Sequence, residues 1–256
     1  MDLSFIILNY HSEKYLIKCL DSIREHVASL KYEIIIINND AEELKGDFNN
    51  SSVSILNTFS NIGFSKACNL GSKIANGKIL FFLNPDTELK NSKLTDFIFL
   101  LNNKDTGIVA PSLLTTTGKP QPWSCGRKIT PLRTAFENLF GKSDVSFSKK
   151  SSIESLAWVS GAALLIRKDL FEKIGGFDEN FFMYFEDVDL CQRVSSLGKK
   201  ILLLTELIII HHGGGSVDNK NQQKKHYYDS QDYYFKKHFG AFQSRSIKLL
   251  RNLVLR

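Results

Sequence analysis

Short apolar runs alternate with amphipathic segments through the first hundred residues of the chain. The three clearest runs, at 3–8, 33–37 and 79–83, are almost uniformly apolar and rich in β-branched or aromatic residues. Runs of this kind are typical of central strands in a sheet that is covered on both faces. Between the first two runs, apolar residues recur at helical spacing after Ser12, a candidate N-cap, which predicts a helix there.

Two more helices follow from the same spacing of apolar residues. One is predicted at 63–77, where Gly77 would end it. The other is predicted at 91–103, with Asn91 or Ser92 at its start. The alternation of strands and helices indicates an α/β fold with a mostly parallel sheet.

The pattern changes between residues 115 and 155. This segment is rich in Ser, Thr, Lys, Gly and Pro and has no long periodic run, so we expect an insertion or a mobile loop over a site. It should contain one short helix near 132–140. Regular structure is expected again from residue 157, with a strand, a short helix closed by two glycines, and a further strand at 200–210.

The composition is that of an ordinary soluble globular protein. The chain has 256 residues, 43% of them hydrophobic and 23% charged, which is enough to bury a sizeable core. No run of 18 apolar residues occurs, so we expect no membrane span, and the first residues predict a strand rather than a signal peptide. The four cysteines are far apart in sequence, which argues against a zinc site or a disulfide framework and favours a reducing compartment.

Three acids, Glu186, Asp187 and Asp189, follow directly after the aromatic stretch 181–185. Apolar side chains around a carboxylate, here Phe182, Met183 and Phe185, raise its pKa and make it a better base. Phe185 could face the core instead. Acids also stabilise the first turn of a helix through the helix dipole, and for Asp189 that is the favoured interpretation.

A carboxylate also stands just past the third predicted strand, where Asp86 lies in the run NPDT. Open α/β sheets bind ligands at this edge, and an Mg²⁺ or Mn²⁺ ion bound mostly to phosphate oxygens needs only one or two protein carboxylates. The same residues also fit a simple turn. The chain lacks the glycine-rich loops of dinucleotide-binding and P-loop proteins, so neither fold is predicted.

Six segments in order resemble a family 2 glycosyltransferase of the inverting GT-A type, and above all the rhamnosyltransferase-like enzymes of bacterial surface polysaccharide synthesis. They are SFIILNYHSEKYLIKCLDSI, IIIINND, NIGFSKACNLG, FLNPDTEL, WVSGAALLIRKDLFEKIGGFDENFFMYFEDVDLCQRV and HHGGGS. The resemblance implies a GT-A domain at 1–218, with a nucleotide-sugar-binding half at 1–112 and an acceptor and catalytic half at 113–218. A basic helical tail would occupy 219–256.

The resemblance also implies a role for each matching residue. A nucleotide-sugar would contact Asn9, Tyr10, Asn38, Asp40, Asn61, Gly63, Lys66, Asn69, Asn84 and Asp86. A divalent ion, Mg²⁺ or Mn²⁺, would be held by Asp86 with His211, or with His212 as the alternative. Asp187 would be the general base of the dyad that it forms with Glu186. The acceptor would lie near Trp158, Gly161 and Phe182.

Three positions depart from the family pattern. Asn38 and Asn84 stand where the family usually has Asp, and His11 stands where it usually has Asn. Asp40 is the candidate substitute for the missing acid at position 38. Trp158 has two interpretations, since an aromatic residue at that position fits a contact with the acceptor or the protein core equally well.

The implied function is transfer of a sugar, with inversion, to a lipid-linked or polysaccharide acceptor at the cytoplasmic face of the cell membrane. A dTDP-rhamnose donor is favoured, with UDP- and GDP-sugars open. The sequence leaves open whether the chain forms a homo-oligomer. No nucleic-acid partner is expected, because no RNA- or DNA-binding module is recognisable. The alternative is a catalytically silent subunit of a glycan assembly complex that binds nucleotide-sugar or glycan, which the lost acid at position 38 favours.

The tail carries the positive charge of the chain. The net charge is +6 overall and +7 from residue 219 onward. At helical spacing, apolar and basic side chains occupy two arcs, which are Ile247, Leu249, Leu250, Leu253 and Val254 on one side and Arg245, Lys248, Arg251 and Arg256 on the other. Such a helix packs on the domain or a second subunit, or lies on an anionic membrane, and the membrane is favoured because a lipid-linked acceptor would be there.

Overall fold

The computed structural model describes residues 1–27, 30–46, 48, 52–140, 153–213 and 220–254. Within these ranges the strands are β1 (Leu3–Asn9), β2 (Tyr32–Asn38), β3 (Val53–Asn57), β4 (Ile79–Leu83), β5 (Thr87–Leu89), β6 (Thr106–Leu114), β7 (Cys125–Gly126), β8 (Ile153–Leu156), β9 (Trp158–Val159), β10 (Ala163–Arg167) and β11 (Lys200–His211). The helices are α1 (Glu13–His26), α2 (Phe64–Ile74), α3 (Leu94–Leu101), α4 (Pro131–Phe140), α5 (Lys168–Lys173), α6 (Glu186–Ser196), α7 (Lys220–Phe239) and α8 (Ala241–Val254).

One large sheet runs through the molecule. Its strand order is β3-β2-β1-β4-β10-β6-β11-β5, with β8 paired to β11. β3, β2, β1 and β4 are parallel, as are β6 and β11, whereas β10, β5 and β8 run antiparallel to the strands beside them. The predicted α/β class is confirmed, and the antiparallel strands belong to the second half of the sheet.

The sheet has an apolar core on each face. Along β1, Ile6 and Leu8 belong to one core, which α2 and α6 cover. Phe5 and Ile7 belong to the other core, which α1 and α3 cover. Strands buried on both faces have no polar side to present, which explains why their sequences are uniformly apolar.

The predicted helices are present, but two of the predicted boundary residues act differently from what the sequence suggests. Ser12 is the N-cap residue of α1, as predicted, but its hydroxyl accepts no capping bond from the helix and instead donates to the carbonyl oxygen of Tyr10 at 2.9 Å. α2 ends at Ile74, three residues before Gly77. A Cβ atom on Gly77 would lie 2.5 Å from the backbone nitrogen of Ser4, so this glycine allows close packing against β1 instead of ending the helix.

The start of α3 was also predicted too early. The helix begins at Leu94, after Lys93, and the side-chain amide of Asn91 donates to the carbonyl oxygen of Glu206 at 2.8 Å. Asn91 therefore joins the loop before α3 to β11. Local sequence favours a polar residue at a helix start, but here a tertiary contact takes up the side chain.

The segment at 115–155 contains more structure than its composition suggests. The short helix expected near 132–140 is confirmed as α4. β7 and β8 also lie in this segment, and they pair with β9 and β11 respectively, which are distant elements that no local pattern reveals. Residues 141–152 lie outside the described ranges, so the expectation of mobility stays a prediction.

The tail forms two helices that pack on the domain. α8 contacts both α7 and α4, and it buries Ile247 and Arg251. The apolar arc expected from helical spacing is therefore split, because Ile247 faces the protein while Leu249 and Leu253 are exposed. Among the described residues, no helix is both long enough and apolar enough to cross a bilayer.

Candidate active site

The parallel strands end in a row of polar side chains. Asn9 pairs with Asn38 in the register of β1 and β2, and its amide nitrogen donates to the side-chain oxygens of Asn38 at 2.9 Å and of Asp40 at 3.1 Å. Asp40 also accepts from the backbone N–H of His11 at 2.9 Å, and the His11 ring packs at a tilt against half-buried Tyr10 with centroids 4.1 Å apart. The residues predicted to hold base and ribose are thus brought together at one edge of the sheet.

Asn38 is fully buried, and its amide is used within the protein. The nitrogen donates to the Glu42 carbonyl at 2.8 Å and to the Asn57 side chain at 2.9 Å. An aspartate could accept but not donate these two bonds. Its position therefore suits the amide, and the neighbouring Asp40 supplies the carboxylate at this end of the sheet.

The sequence analysis missed Asn39, which organises the next loop. Its side chain donates to Asn61 Oδ1 at 2.9 Å and accepts from the backbone N–H of Ile62 at 3.0 Å. Asn61 in turn accepts from the N–H of Gly63 at 3.0 Å. The signal in the sequence was a second polar residue directly after a buried strand, in IINND.

Gly63 joins this loop to the aromatic stretch that precedes the dyad. It has a left-handed φ of 86°, and a Cβ atom there would lie 2.7 Å from the carbonyl oxygen of Phe182. The same carbonyl accepts from the N–H of Phe64 at 2.7 Å. Only glycine allows this approach without strain, so the predicted donor loop and the predicted acceptor residue Phe182 are in direct contact.

Two predicted residues of α2 point in different directions. Lys66 is exposed. Asn69 is buried, where its amide donates to the Phe177 carbonyl at 2.9 Å and accepts from the Phe177 N–H at 2.9 Å. The structure gives Asn69 a bracing role for the loop at Phe177, and its contact with a nucleotide-sugar stays a prediction.

Asp86 and His211 meet although 125 positions separate them in the chain. The last residue of β11, His211, pairs with Thr87, and its Nε2 lies 3.1 Å from Asp86 Oδ1. Asn84 Nδ2 is 3.4 Å from the same nitrogen, and His211 Nδ1 is 2.8 Å from Oε1 of Gln121. Burial raises the pKa of Asp86, but the hydrogen bond and charge of His211 outweigh it and leave the pKa lowered.

His212, the alternative metal ligand, faces a different group. Its Nε2 lies 2.8 Å from Glu88 Oε1, and its ring packs on Tyr15 with centroids 5.4 Å apart. Its backbone N–H donates to the carbonyl oxygen of Asp86 at 2.9 Å. Of the two histidines, only His211 has its ring against the carboxylate of Asp86.

The donor set at Asp86 and His211 fits a divalent ion. Two ligands at right angles around an octahedral Mg²⁺, with bonds of about 2.1 Å, lie about 3 Å apart, which the Nε2 to Oδ1 distance of 3.1 Å matches. No group of three His, Cys, Asp or Glu residues is assembled in the described part of the chain. Two protein ligands suit an ion that takes its remaining ligands from phosphate and water.

Asp187 lies at the start of α6 with both carboxylate oxygens oriented. Oδ2 accepts from the N–H of Gly161 at 2.9 Å, and Oδ1 accepts from the N–H of Val188 at 2.8 Å. Burial raises the pKa of Asp187, and these hydrogen bonds only partly offset it, so the pKa stays above the usual aspartate range. The predicted acid with a raised pKa behind an aromatic stretch is therefore present.

The backbone turns sharply just before this dyad. Tyr184 and Phe185 both have left-handed φ angles, 68° and 64°, which are unusual for aromatic residues. Phe185 is buried and packs against Tyr227 and Tyr234 of α7, so it faces the core, as the alternative interpretation held. Packing on α7 stabilises this strained turn. This turn determines where α6 begins and where Asp187 lies.

Glu186 is buried more deeply than its neighbour. It is 5% exposed, and its Oε2 has no hydrogen-bond partner among the described residues. Burial, and then the nearby charge of Asp187, raise the pKa of Glu186 well above the usual glutamate range. Glu186 is therefore held in its neutral form more strongly than Asp187 is.

Asp189 ties α6 to α7. It lies in the first turn of α6, as expected, and its carboxylate is within 2.7 Å of Arg193 Nε, Lys237 Nζ and His238 Nε2. Burial raises the pKa of Asp189, but the hydrogen bond from His238 and the charge of Arg193 outweigh it, so the pKa is lowered. The helix-start explanation is incomplete, because two of its three partners come from the tail.

Further contacts from α7 hold the loop that leads to the dyad. Ser230 Oγ donates to the carbonyl oxygen of Met183 at 2.7 Å, and Gln223 donates to the hydroxyl of Tyr184 at 2.7 Å. The ring of His226 stacks on Phe182 with centroids 4.6 Å apart. The sequence analysis assigned none of the α7 residues Ser230, Gln223 and His226 to the site, since contacts with so distant a segment leave no local signal.

Trp158 lies in the core. It is buried, and its indole N–H donates to the carbonyl oxygen of Arg127 at 3.2 Å. Gly126 packs on its ring, where a Cβ atom would lie 2.7 Å from the indole nitrogen. Of the two interpretations of Trp158, the structure favours the core.

One short backbone segment connects the dyad with the Asp86 loop. The N–H of Gly161 donates to Asp187, and the carbonyl oxygen of the next residue, Ala162, accepts from the N–H of Asn84 at 2.9 Å. Residues 4–175 match the sequence pattern described as glycosyl transferase family 2. The chain belongs to glycosyl transferase family 2. That match ends before Asp187 and His211, so their placement rests on the geometry.

Two curated proteins are similar in sequence to this family 2 chain. The low-salt glycan biosynthesis hexosyltransferase Agl10 of Haloferax volcanii is 24% identical over 75% of this chain and 61% of its own length. The N-acetylglucosaminyl-diphospho-decaprenol L-rhamnosyltransferase of Mycobacterium tuberculosis is 51% identical over a short region, 17% of this chain and 14% of its own. The chain thus spans less than two thirds of the length of these relatives.

A solved structure of another protein has a similar fold. The mannosyltransferase of Pyrobaculum calidifontis, determined in complex with GDP-Man and Mn²⁺, superposes with a TM-score of 0.62 at 13% identity, over 99% of this chain and 72% of that one. The fold is therefore like that of GT-A glycosyltransferases, as expected. At this level of identity the likeness concerns the fold alone.

Proposed function

We propose that this family 2 chain is an inverting, metal-dependent glycosyltransferase that moves a sugar from a nucleotide-sugar to an acceptor hydroxyl. The observation that carries the proposal is the segment at Gly161 and Ala162, which binds the candidate base Asp187 on one side and Asn84, beside Asp86 and His211, on the other. A direct displacement at a sugar carbon requires a base close to the site that binds the departing phosphates. The segment at Gly161 and Ala162 connects the two candidates for these roles.

The donor would lie along the carboxyl ends of the parallel strands. Asn9, Asp40 and the loop at Gly63 would contact the nucleoside, while Asp86 and His211 would hold Mg²⁺ or Mn²⁺. When bound, such an ion supplies positive charge to the departing diphosphate. The carboxylate of Asp86 is ionised at neutral pH, and His211 would bind the ion through an unprotonated Nε2.

Asp187 would take the proton of the acceptor hydroxyl as its oxygen attacks the anomeric carbon, opposite the leaving nucleotide. The bonds from Gly161 and Val188 fix the carboxylate without neutralising it. General-base assistance of this kind is typically worth ~10²–10⁴ in rate. Glu186 lies deeper than Asp187, and its role would be to support Asp187 in the dyad rather than to touch the acceptor.

The names of relatives guide the choice of substrate. The mycobacterial relative is named for L-rhamnosyl transfer onto a decaprenol-linked sugar, and the Pyrobaculum structure contains GDP-Man. We favour a rhamnose donor on dTDP, with UDP and GDP as the alternatives, and a lipid-linked or polysaccharide acceptor. The enzyme would then work at the inner face of the cell membrane as a peripheral protein.

Calorimetry on the full chain tests the proposal. The titrants are dTDP, UDP and GDP, each with and without Mn²⁺ or Mg²⁺, followed by a transfer assay with the sugar donor of whichever nucleotide binds. We expect one nucleotide to bind in a metal-dependent way and its sugar to be transferred with inversion. Metal-dependent binding without transfer to any acceptor would favour the silent glycan-assembly subunit, and no binding of any nucleotide would refute both.

A further inference from the structure

α8 exposes an apolar stripe on the side that faces away from the protein. Phe242, Leu249 and Leu253 are 79%, 65% and 66% exposed. Their separations of seven and four residues return to one side of a helix with ~3.6 residues per turn. Ile247 and Arg251, on the opposite side, are buried. The stripe is thus a separate face of α8 rather than a part of the core.

An ion pair between buried Arg251 and half-buried Asp232 holds α8 in place. The guanidinium of Arg251 bonds both oxygens of Asp232, at 2.9 and 3.1 Å, and Oε1 of Gln231 at 2.8 Å. It also lies over the ring of Tyr228, 4.3 Å from the centroid. α7 therefore presents the stripe in a fixed orientation, so the stripe is ordered before any partner arrives.

The neighbouring helix α4 has exposed apolar residues as well. Leu132 is 83% exposed and Phe136 is 59% exposed, and their spacing of four places them on one side of the helix. α4 packs directly against α8. Two helices in direct contact thus each present exposed apolar side chains, which points to an interaction surface.

The tail that carries this surface is basic. The described tail, residues 220–254, has eight Lys or Arg and only two Asp. Arg245 is exposed on α8 beside the stripe, and Lys248, also exposed, lies further round the helix and pairs with Asp232 at 3.3 Å. A second copy would bring an equally basic tail to the contact, which opposes dimer formation, whereas an anionic bilayer accepts both the charge and the apolar side chains.

We propose that Phe242, Leu249 and Leu253 of α8, with Leu132 and Phe136 of α4, form a surface that inserts into the interfacial layer of an anionic lipid bilayer. The helix that fixes this surface through Asp232 also holds the catalytic loop, since Ser230 donates to the Met183 carbonyl. Binding would therefore orient the dyad relative to the membrane. The proposal rests on the proposed function only for the lipid-linked acceptor.

Vesicle flotation with the full chain tests this surface. One variant carries Phe242→Ser, Leu249→Ser and Leu253→Ser, and the matched control carries Ile17→Ser, Phe99→Ser and Leu197→Ser, which are also exposed apolar positions. Vesicles contain phosphatidylcholine with or without phosphatidylglycerol. We expect the wild-type and control proteins to bind the anionic vesicles, the α8 variant to bind them more than about tenfold more weakly, and neutral vesicles to bind all three poorly.

Two outcomes would overturn the proposal. Equal vesicle binding by the α8 variant and the control would show that this surface does not bind the membrane. A wild-type dimer that only the α8 variant fails to form would show that the surface is a subunit interface. Circular dichroism checks that the variants fold. Nucleotide binding and transfer to a water-soluble acceptor are measured in parallel, and their retention together with lost vesicle binding separates this proposal from the catalytic one.

Discussion

Nε2 of His211 lies 3.1 Å from Oδ1 of Asp86, because the end of β11 pairs with β5 directly after the Asp86 loop. The neighbouring His212 turns to Glu88 instead, at 2.8 Å. The strand pairing thus separates two adjacent histidines into two environments. Asp86 and His211 share a site next to the segment that binds Asp187, whereas His212 pairs with Glu88.

Substitution of Asp86 should remove the metal dependence of nucleotide binding. Asp86→Asn takes away the one carboxylate of the pair, so we expect the nucleotide affinity measured with Mn²⁺ to fall at least about tenfold, toward the value without metal. Glu88→Gln is the matched control, since it removes a nearby acid whose carboxylate pairs with His212 and Lys90 rather than with His211. Calorimetry compares the two, and an equal loss in both variants would contradict the assignment.

Substitution of Asp187 should separate binding from chemistry. Asp187→Asn keeps the shape and can still accept from the Gly161 N–H, so the donor affinity should be unchanged while kcat falls by ~10²–10⁴. Single-turnover assays and calorimetry measure the two quantities. Near-normal turnover in this variant would remove Asp187 as the base.

The raised pKa of Asp187 also predicts a pH dependence. The base acts when ionised, and burial shifts its ionisation to higher pH, so kcat should decline with acidification at a pH above the ordinary aspartate pKa of about 3.9. The acid limb should be absent from the residual activity of Asp187→Asn. A wild-type profile that stays flat down to that ordinary pKa would contradict the prediction.

Glu186→Gln should stabilise the protein in a pH-dependent way. Because the pKa of Glu186 is raised in the folded state, folding favours the protonated carboxyl, and stability is lost as pH rises from the unfolded pKa through the folded one. Glutamine removes this loss. Urea unfolding should show a larger gain in free energy for the variant at pH 8 than at pH 5, and an equal effect at both would refute the explanation.

Asp189→Asn should destabilise the protein strongly. It leaves Arg193, Lys237 and His238 without the buried carboxylate that they share, and breaking a buried ion pair typically costs about 3–5 kcal/mol. The control is Asp169→Asn, an exposed partner of Arg167 at 3.3 Å, for which under about 1 kcal/mol is expected. Urea unfolding measures both variants, and similar small losses would contradict the role of Asp189.

The loss of Asp189 should also reach the active site. α7 contacts the loop from Phe182 to Phe185 and so positions Asp187, which means that Asp189→Asn should lower kcat more than donor affinity at a temperature where it is folded. A fall in donor affinity that matches the fall in kcat would indicate general unfolding instead.

The sequence by itself determined the central strands β1, β2 and β4, the strand β11, the helices and the candidate acids, but not β3, β5 and β6. A buried strand needs apolar residues in a run and a buried helix face needs them at helical spacing, and both patterns are local, so 3–8, 33–37 and 79–83 were found within a residue or two of β1, β2 and β4. The edge of the sheet follows from the strands, which is why Asp86 could be named in advance.

Only the tertiary structure decided which side chains meet. Several contacts join residues that are distant in the chain. His211 pairs with Asp86, Trp158 is buried in the core, and α7 contacts the loop that precedes the dyad. Such contacts depend on strand register and on how helices pack, and neither leaves a local pattern. The apolar arc of α8 shows the difference, because spacing identified an amphipathic helix, but packing on α4 and α7 decided which of its side chains stay exposed.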